Sequence, residues 1–233
     1  MKVALRILMI IILVFVGMVV YTILRYWINP VRFVRVSAWI RNPQAHPDWI
    51  VKAGNKCQDA PFVFPTDGYI GFLWGDQFRL GHQHQGIDIF AGTISGKTPV
   101  IAVYDGYLTR LPDWKSSVII RIPADPLQPS QQIWTYYTHM AEESGKSLIV
   151  EQFPPGTKEF FVKAGTPLGY QGNYSGAPNN PVGVHLHFSI VKDNGEGIFM
   201  NELEIKNTLD PSRYFNLKLN ANKNKDGIPI CPN

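Results

Sequence analysis

The chain has 233 residues, of which 22 are Lys or Arg and 18 are Asp or Glu, so its formal net charge is +4. A hydrophobic content of 45% with 17% charged residues excludes a disordered chain and a coiled coil. The basic residues are scattered and form no basic-aromatic stretch, so we expect no nucleic-acid partner. Two cysteines exclude a disulfide-dense scaffold, whereas six histidines leave an imidazole metal site open. The oligomeric state is not specified by these features.

The amino-terminal part of the chain is apolar. Residues 7–24 carry no charge and are flanked by Arg6 and Arg25. As a helix this run is about 27 Å long, close to the hydrocarbon thickness of a bilayer. We expect a single transmembrane anchor over residues 1–25, with the membrane as a partner. A cleaved signal peptide is the alternative, although its apolar region is usually shorter.

The next segment, residues 26–47, contains three prolines and several arginines and is expected to form a juxtamembrane stalk. The folded domain is then expected over residues 48–233. Its glycines and prolines separate short apolar runs without helical spacing, which favours strands. Strands are expected over residues 86–90, 99–104, 107–111, 117–122, 132–140, 159–163 and 183–191.

Turn residues indicate how these strands connect. An Asp105-Gly106 pair lies between two of them and predicts a β-hairpin, so we expect an antiparallel sheet. Loops 74–80 and 173–181 carry aromatic residues and are expected to form the walls of a groove over the sheet. Residues 91–98 partly match a phosphate-binding loop, but a strand follows where a helix is required, so no nucleotide is expected.

Two histidine clusters lie on the expected strands. His84 and Asp88 are four residues apart, so they share one face of an extended chain, and His185 and His187 share a face in the same way. Two histidines and one carboxylate leave the fourth position of a tetrahedral zinc ion to water, as in catalytic zinc sites. The chain has no H-E-x-x-H motif, so a base must come from elsewhere, and His139 is the spare imidazole.

Three motifs resemble one enzyme family. Segment 84–88 (HQGID) resembles its H-x-G-x-D signature, 137–140 (YTHM) resembles its Y-x-H-L segment, and 185–188 (HLHF) is similar to its H-L-H-F. This family is the lysostaphin-type peptidoglycan metallopeptidases, also called LytM-domain or duplicated-hybrid-motif proteins. The resemblance covers about residues 62–215, and the three motifs occur in the family's order.

The resemblance implies a mainly β, sandwich-like antiparallel domain that binds one Zn²⁺ through His84, Asp88 and His187. It implies that His139 and His185 are catalytic and act on a zinc-bound water to hydrolyse peptide bonds in cell-wall peptidoglycan. The expected location is a bacterial membrane with the catalytic domain on the extracytoplasmic side, although a count of flanking basic residues slightly favours the opposite orientation.

Two alternatives to this function stay open. One is a non-catalytic envelope protein of the same fold that binds peptidoglycan or activates a hydrolase. The other is a metal-dependent hydrolase of soluble peptides. Cys57 and Cys231 bracket the domain and are either two free thiols or a disulfide, and a disulfide would favour an oxidising compartment.

Overall fold

The computed structural model describes residues 2–27, 30–77 and 81–231. Two helices precede the strands, α1 (Lys2–Trp27) and α2 (Pro30–Arg41). Within these ranges, no helix combines the length and the apolar character that crossing a membrane requires. The expected transmembrane anchor over residues 1–25, and the membrane as a partner, are therefore not supported.

The rest of the described chain is mainly β, as expected. The strands are β1 (Ile50–Val51), β2 (Gly68–Phe72), β3 (Ile87–Phe90), β4 (Pro99–Ile101), β5 (Gly106–Thr109), β6 (Val118–Ile122), β7 (Ile133–Thr138), β8 (Phe160–Val162), β9 (Pro167–Tyr170), β10 (Leu186–Lys192) and β11 (Thr208–Leu209). A short helix, α3 (Ser212–Phe215), follows β11. All of the ladders between these strands are antiparallel.

The strands form one large and one small sheet. The large sheet has the order β1-β2-β3-β10-β7-β6-β5-β8, with β11 added to β10, and the small sheet pairs β4 with β9. Ile87 of β3 and Phe188 of β10 are fully buried on one face of the large sheet. They share a core cluster with Val100 of β4 and Leu168 of β9, so the core lies between the two sheets. The opposite face of the central strands is free to carry polar groups.

The Asp105-Gly106 pair does not form the expected hairpin. β4 pairs with β9, whereas β5 pairs with β6 and β8, so the chain passes here from the small sheet to the large one. Asp105 Oδ1 accepts the N–H of Ala164 at 2.8 Å. A Cβ at Gly106 would lie 2.4 Å from the carbonyl oxygen of Arg121. The glycine therefore permits close strand packing and does not form the left-handed turn on which the prediction was based.

Part of the expected stalk packs on the domain as α2. Val36 and Trp39, three positions apart on one helix face, are 6% and 1% exposed and pack in a cluster with Tyr69, Phe72 and Phe90. The Trp39 indole N–H donates to the carbonyl of Phe90 at 2.6 Å. Residues 30–41 are thus a packed helix on the sheet surface near β2 and β3.

A disulfide joins Cys57 to Cys231, with the two Cα atoms 5.1 Å apart. The two cysteines are 174 positions apart in the sequence, so the bond links the start of the β domain to the end of the described chain. The sequence alone left this pairing open because spatial proximity cannot be deduced from it. The two cysteines therefore form a disulfide and are not free thiols.

Candidate metal centre and catalytic groove

Two neighbouring strands bring three candidate metal ligands together. Asp88 on β3 and His187 on β10 are direct register partners, and both lie on the sheet face opposite the core. His84 precedes β3 and reaches the same point. His84 Nε2 lies 3.1 Å from Asp88 Oδ1 and 3.0 Å from His187 Nδ1, and His187 Nδ1 lies 2.8 Å from Asp88 Oδ1. The three residues form a group that could hold a metal ion.

Gly86, between the first two of these residues, has a steric role. A Cβ at position 86 would lie 2.1 Å from the carbonyl oxygen of Phe188, which is backbone and cannot move aside. The absence of a side chain lets the segment that carries His84 and Asp88 press against β10, which carries His187. The glycine of the HQGID segment is thus required for the approach of the ligands.

The donor atoms suit a zinc ion. The His84 Nδ1–H donates to the carbonyl of Leu73 at 3.0 Å, so Nε2 carries a lone pair. That nitrogen, a carboxylate oxygen of Asp88 and Nδ1 of His187 then converge on one point. Ligand bonds of about 2.0–2.1 Å at a tetrahedral angle would place donors about 3.3 Å apart, close to the observed separations. With two histidines and one carboxylate as protein ligands, a fourth position stays available to solvent or substrate.

The pKa shifts of His84, Asp88 and His187 show how charge is distributed among the three candidate ligands. Burial opposes a charge on His84, but the adjacent Asp88 carboxylate outweighs it and raises the pKa of His84 above its usual value. Burial likewise opposes a charge on Asp88, yet His84 and His185 hold the pKa of Asp88 well below its usual range. Burial lowers the pKa of His187, with Asp88 opposing. Asp88 therefore remains an anion, and its carboxylate favours a positive charge, from a proton or a metal ion, between the three donor atoms.

Two further histidines border the group. His185 immediately precedes β10, and its Nε2 lies 3.7 Å from Asp88 Oδ1. The His139 ring lies 4.5 Å from the His185 ring and 6.2 Å from the His187 ring, measured between centroids. The Nδ1–H of His139 donates to Tyr174 O at 2.7 Å, and that of His185 donates to Gly183 O at 2.6 Å. Because both Nδ1 atoms are occupied by carbonyls, both rings keep Nε2 as a proton acceptor.

His139 has an unusual backbone conformation. It directly follows β7 and has φ = 70°, in the left-handed region that non-glycine residues seldom adopt. The Ala141 N–H donates to its carbonyl at 2.8 Å, which closes a tight turn. Conformations of this kind cost about 1–3 kcal/mol and cluster at functional sites. Here the turn ends β7 and places the imidazole beside His185.

Burial lowers the pKa of His139 to about 3, and the neighbouring His185 and His187 act in the same direction. The ring is therefore neutral at physiological pH. A neutral imidazole has a lone pair that can accept a proton.

The five residues line one groove with a volume of about 750 Å³, within the usual range for ligand sites. Its floor is the face of β3, β10 and β7 away from the core. The expected 173–181 wall is present, since Tyr174, Ser175 and Gly176 line the groove. Trp74 does not line it and instead donates from Nε1 to Thr208 Oγ1 at 2.9 Å. Residues 78–80 of that expected wall lie outside the described part of the chain.

Three groups of residues that line the groove were not predicted from the sequence. Phe33, Val36 and Ile40 of α2 line it beside β2 and β3. Lys115 and Glu202 also line it. The apolar spacing within residues 30–41 was the available signal for α2. No sequence pattern placed 113–117 or 202–203 at the groove.

Comparisons with known proteins give matches among solved structures alone. No family model matches the chain, and no curated protein matches it. Csd3 of Helicobacter pylori is 18% identical with a TM-score of 0.37, and the match covers 65% of this chain and 39% of Csd3. A putative glycyl-glycine endopeptidase LytM of Ruminococcus gnavus is 28% identical with a TM-score of 0.34, covering 56% and 46% of the two chains.

Lysostaphin is 18% identical with a TM-score of 0.38, and the match covers 71% of this chain and 54% of lysostaphin. The matched part is thus less than two thirds of each of these three proteins. LytM and lysostaphin are of the type that the sequence motifs resemble.

Proposed function

We propose that this protein is a zinc-dependent endopeptidase of the lysostaphin type that cleaves peptide bonds in bacterial peptidoglycan. The observation that carries the proposal is the convergence of His84 Nε2, Asp88 Oδ1 and His187 Nδ1 within 3.1 Å of one another on the floor of an open groove. A convergence of three lone-pair atoms is repulsive unless a cation or a proton lies between them.

A bound zinc ion would lower the pKa of a water molecule and polarise the scissile carbonyl. The residues of the chain supply the rest of the chemistry. His139, neutral because of its burial, accepts a proton at Nε2 during attack on the carbonyl and returns it to the leaving amine. His185, held by Gly183 and stacked on Phe90 at 4.9 Å, presents Nε2 to the same region, and in its protonated form this nitrogen donates an N–H to the negative charge that develops on the substrate oxygen.

The disulfide supports an extracytoplasmic location. Disulfides persist in oxidising compartments and are rare in the cytosol, where thiols are kept reduced. The Cys57–Cys231 bond therefore suits the compartment that contains peptidoglycan. We propose that the domain acts there, on the cell-wall side of the envelope.

The test is digestion of purified peptidoglycan sacculi by the full-length protein. We expect soluble fragments with new amino termini, detected by mass spectrometry. We expect 1,10-phenanthroline to stop their release and added zinc to restore it. Casein and free peptides serve as competing substrates and should be cleaved far less efficiently.

Other outcomes would contradict the proposal. Binding to sacculi in a sedimentation assay without fragment release, with or without zinc, would favour the non-catalytic envelope protein. Cleavage of free peptides at an efficiency comparable to that on sacculi would favour the soluble-peptide hydrolase.

A further inference from the structure

We infer that Arg32 of α2 is a positioning residue for the metal centre, because its ion pair with Asp76 fixes the turn whose Leu73 carbonyl orients the ligand His84. The inference rests on the proposed zinc site and assigns a role in it to a helix that lies before the expected domain boundary. Arg32 acts on the ligand His84 through the turn at residues 73–76.

A continuous series of contacts connects Arg32 to His84. Arg32 Nε donates to Asp76 Oδ1 at 3.0 Å, and Asp76 Oδ2 accepts the backbone N–H of Leu73 at 2.6 Å. The carbonyl of Leu73 in turn accepts Nδ1–H of His84 at 3.0 Å. The orientation of a ligand imidazole depends on the acceptor of its other nitrogen, and here that acceptor belongs to the turn closed by Asp76.

The same turn holds the backbone of His84. The His84 N–H donates to the carbonyl of Asp76 at 2.8 Å, and the Gly75 N–H donates to the carbonyl of His84 at 2.8 Å. The Asp76 N–H also donates to the carbonyl of Leu73 at 3.0 Å. Both the main chain and the ring of His84 are therefore fixed against residues 73–76, so a shift of this turn displaces the imidazole.

The ion pair is buried. Arg32 is 1% exposed and Asp76 is 3% exposed. Burial raises the pKa of Asp76, and the Arg32 guanidinium opposes this change. Arg32 also donates from Nη2 to the carbonyl of Asn224, which joins the turn to the carboxy-terminal segment. Without Arg32 the carboxylate would lose its buried counter-charge, and its hydrogen bond to Leu73 would no longer be held in place.

The test measures metal binding by the full-length protein. Zinc affinity is obtained by competition with a chromogenic chelator, and ligand geometry by the visible spectrum of the cobalt-substituted protein. We expect Arg32→Gln to weaken zinc binding by about tenfold or more and to alter the cobalt spectrum. The control is Arg35→Gln on the same helix, because the partly exposed Arg35 donates from Nη1 to the carbonyl of Asp226, away from the turn. It should leave both measurements unchanged.

A double variant separates positioning from folding. Arg32→Met combined with Asp76→Leu removes both buried charges, so its metal-free melting temperature should exceed that of Arg32→Met alone. It also removes the acceptor of the Leu73 N–H, so its zinc affinity should stay low. If zinc affinity recovers together with the melting temperature, Arg32 has a structural role only and the inference is wrong.

The remaining outcomes are distinguishable as well. Equal zinc affinity and equal cobalt spectra for the unaltered protein and Arg32→Gln would overturn the inference while leaving the proposed function intact. A lack of zinc binding by the unaltered protein would overturn both.

Discussion

His187 Nδ1 lies 2.8 Å from Asp88 Oδ1, and the two residues are directly opposed in the antiparallel pair of β10 and β3. They are 99 positions apart in the chain, so the candidate metal centre depends on correct pairing of two distant strands. A shift of one residue in this register would move His187 to the core face and Leu186 or Phe188 to the groove. Ligand placement and core burial are thus specified by the same ladder.

Substitution of a proposed ligand should have a different effect from substitution of a proposed catalytic histidine. We expect His187→Ala to abolish zinc binding, because it removes one of three protein ligands. We expect His139→Ala to retain zinc and to lower peptidoglycan hydrolysis by about 100- to 10,000-fold, because it removes a proton acceptor. Zinc content and fragment release are measured on the same preparations.

Two results would contradict this division of roles between His187 and His139. Equal loss of zinc in the two variants would show that His139 is a ligand. Full activity of His139→Ala would exclude it from proton transfer.

Gly86→Ala should destabilise the domain. The new Cβ would meet the backbone oxygen of Phe188 at 2.1 Å, and overpacking in a folded core typically costs about 1–3 kcal/mol. We expect a lower free energy of unfolding in guanidinium and weaker zinc binding, since β3 must move from β10. The matched control is Gly183→Ala, whose Cβ would meet no atom closer than 3.8 Å. If the two variants have the same free energy of unfolding, the close approach to Phe188 does not require glycine at position 86.

The metal-free protein should lose stability in mild acid partly because of His139. Its pKa is lowered from 6.5 to about 3 in the folded state by burial, so between these values the unfolded chain binds a proton that the folded chain does not. Stability from this residue is therefore complete above pH 6.5 and falls as pH decreases, by up to about 1.4 kcal/mol per pH unit. Urea unfolding between pH 4.5 and 7.5, in the presence of a chelator, measures this slope.

The variant His139→Gln isolates this contribution from those of the other histidines. We expect a shallower decrease of stability below pH 6.5 in the variant than in the unaltered protein. Parallel curves would mean that His139 is protonated in the folded state and that the proposed neutral acceptor is incorrect.

Removal of the disulfide should lower stability without changing the metal centre. The bond closes a loop of 174 residues, and disulfides that close long loops typically contribute about 2–5 kcal/mol. We expect Cys57→Ser to shift the guanidinium midpoint downward while zinc affinity at low temperature is retained. The combined variant Cys57→Ser and Cys231→Ser should behave like the single one, and a large difference between them would point to a reactive free thiol.

Local patterns predicted the centre of the sheet well. The alternation of side chains predicted that His84 shares a strand face with Asp88 and that His185 shares one with His187, because the period of two in a strand is independent of what the strand pairs with. The structure places Ile87 and Phe188 in the core and the polar residues opposite, as that period requires. The expected strands that contain these residues coincide with β3 and β10 to within three residues at each end.

Features that depend on distant contacts were not predictable in this way. The Asp105-Gly106 pair has the composition of a hairpin turn, but its geometry is determined by Ala164 and by β6. Short strands such as β1 and β11 have two residues each, too few to show any period. Residues 26–47 were interpreted as a stalk because they contain prolines and arginines. The burial of Arg32 in α2 depends on Asp76, which is 44 positions away and could not be identified as its partner.

The position of α2 affects how the protein should be truncated for laboratory work. A fragment designed from sequence patterns would begin near residue 48 and would lack this helix. Such a fragment would expose the aromatic rings of Tyr69, Phe72 and Phe90 to solvent and leave the Asp76 carboxylate without its guanidinium. Poor solubility or weak metal uptake of that fragment would then reflect the chosen starting residue and would not measure the metal binding of the intact protein.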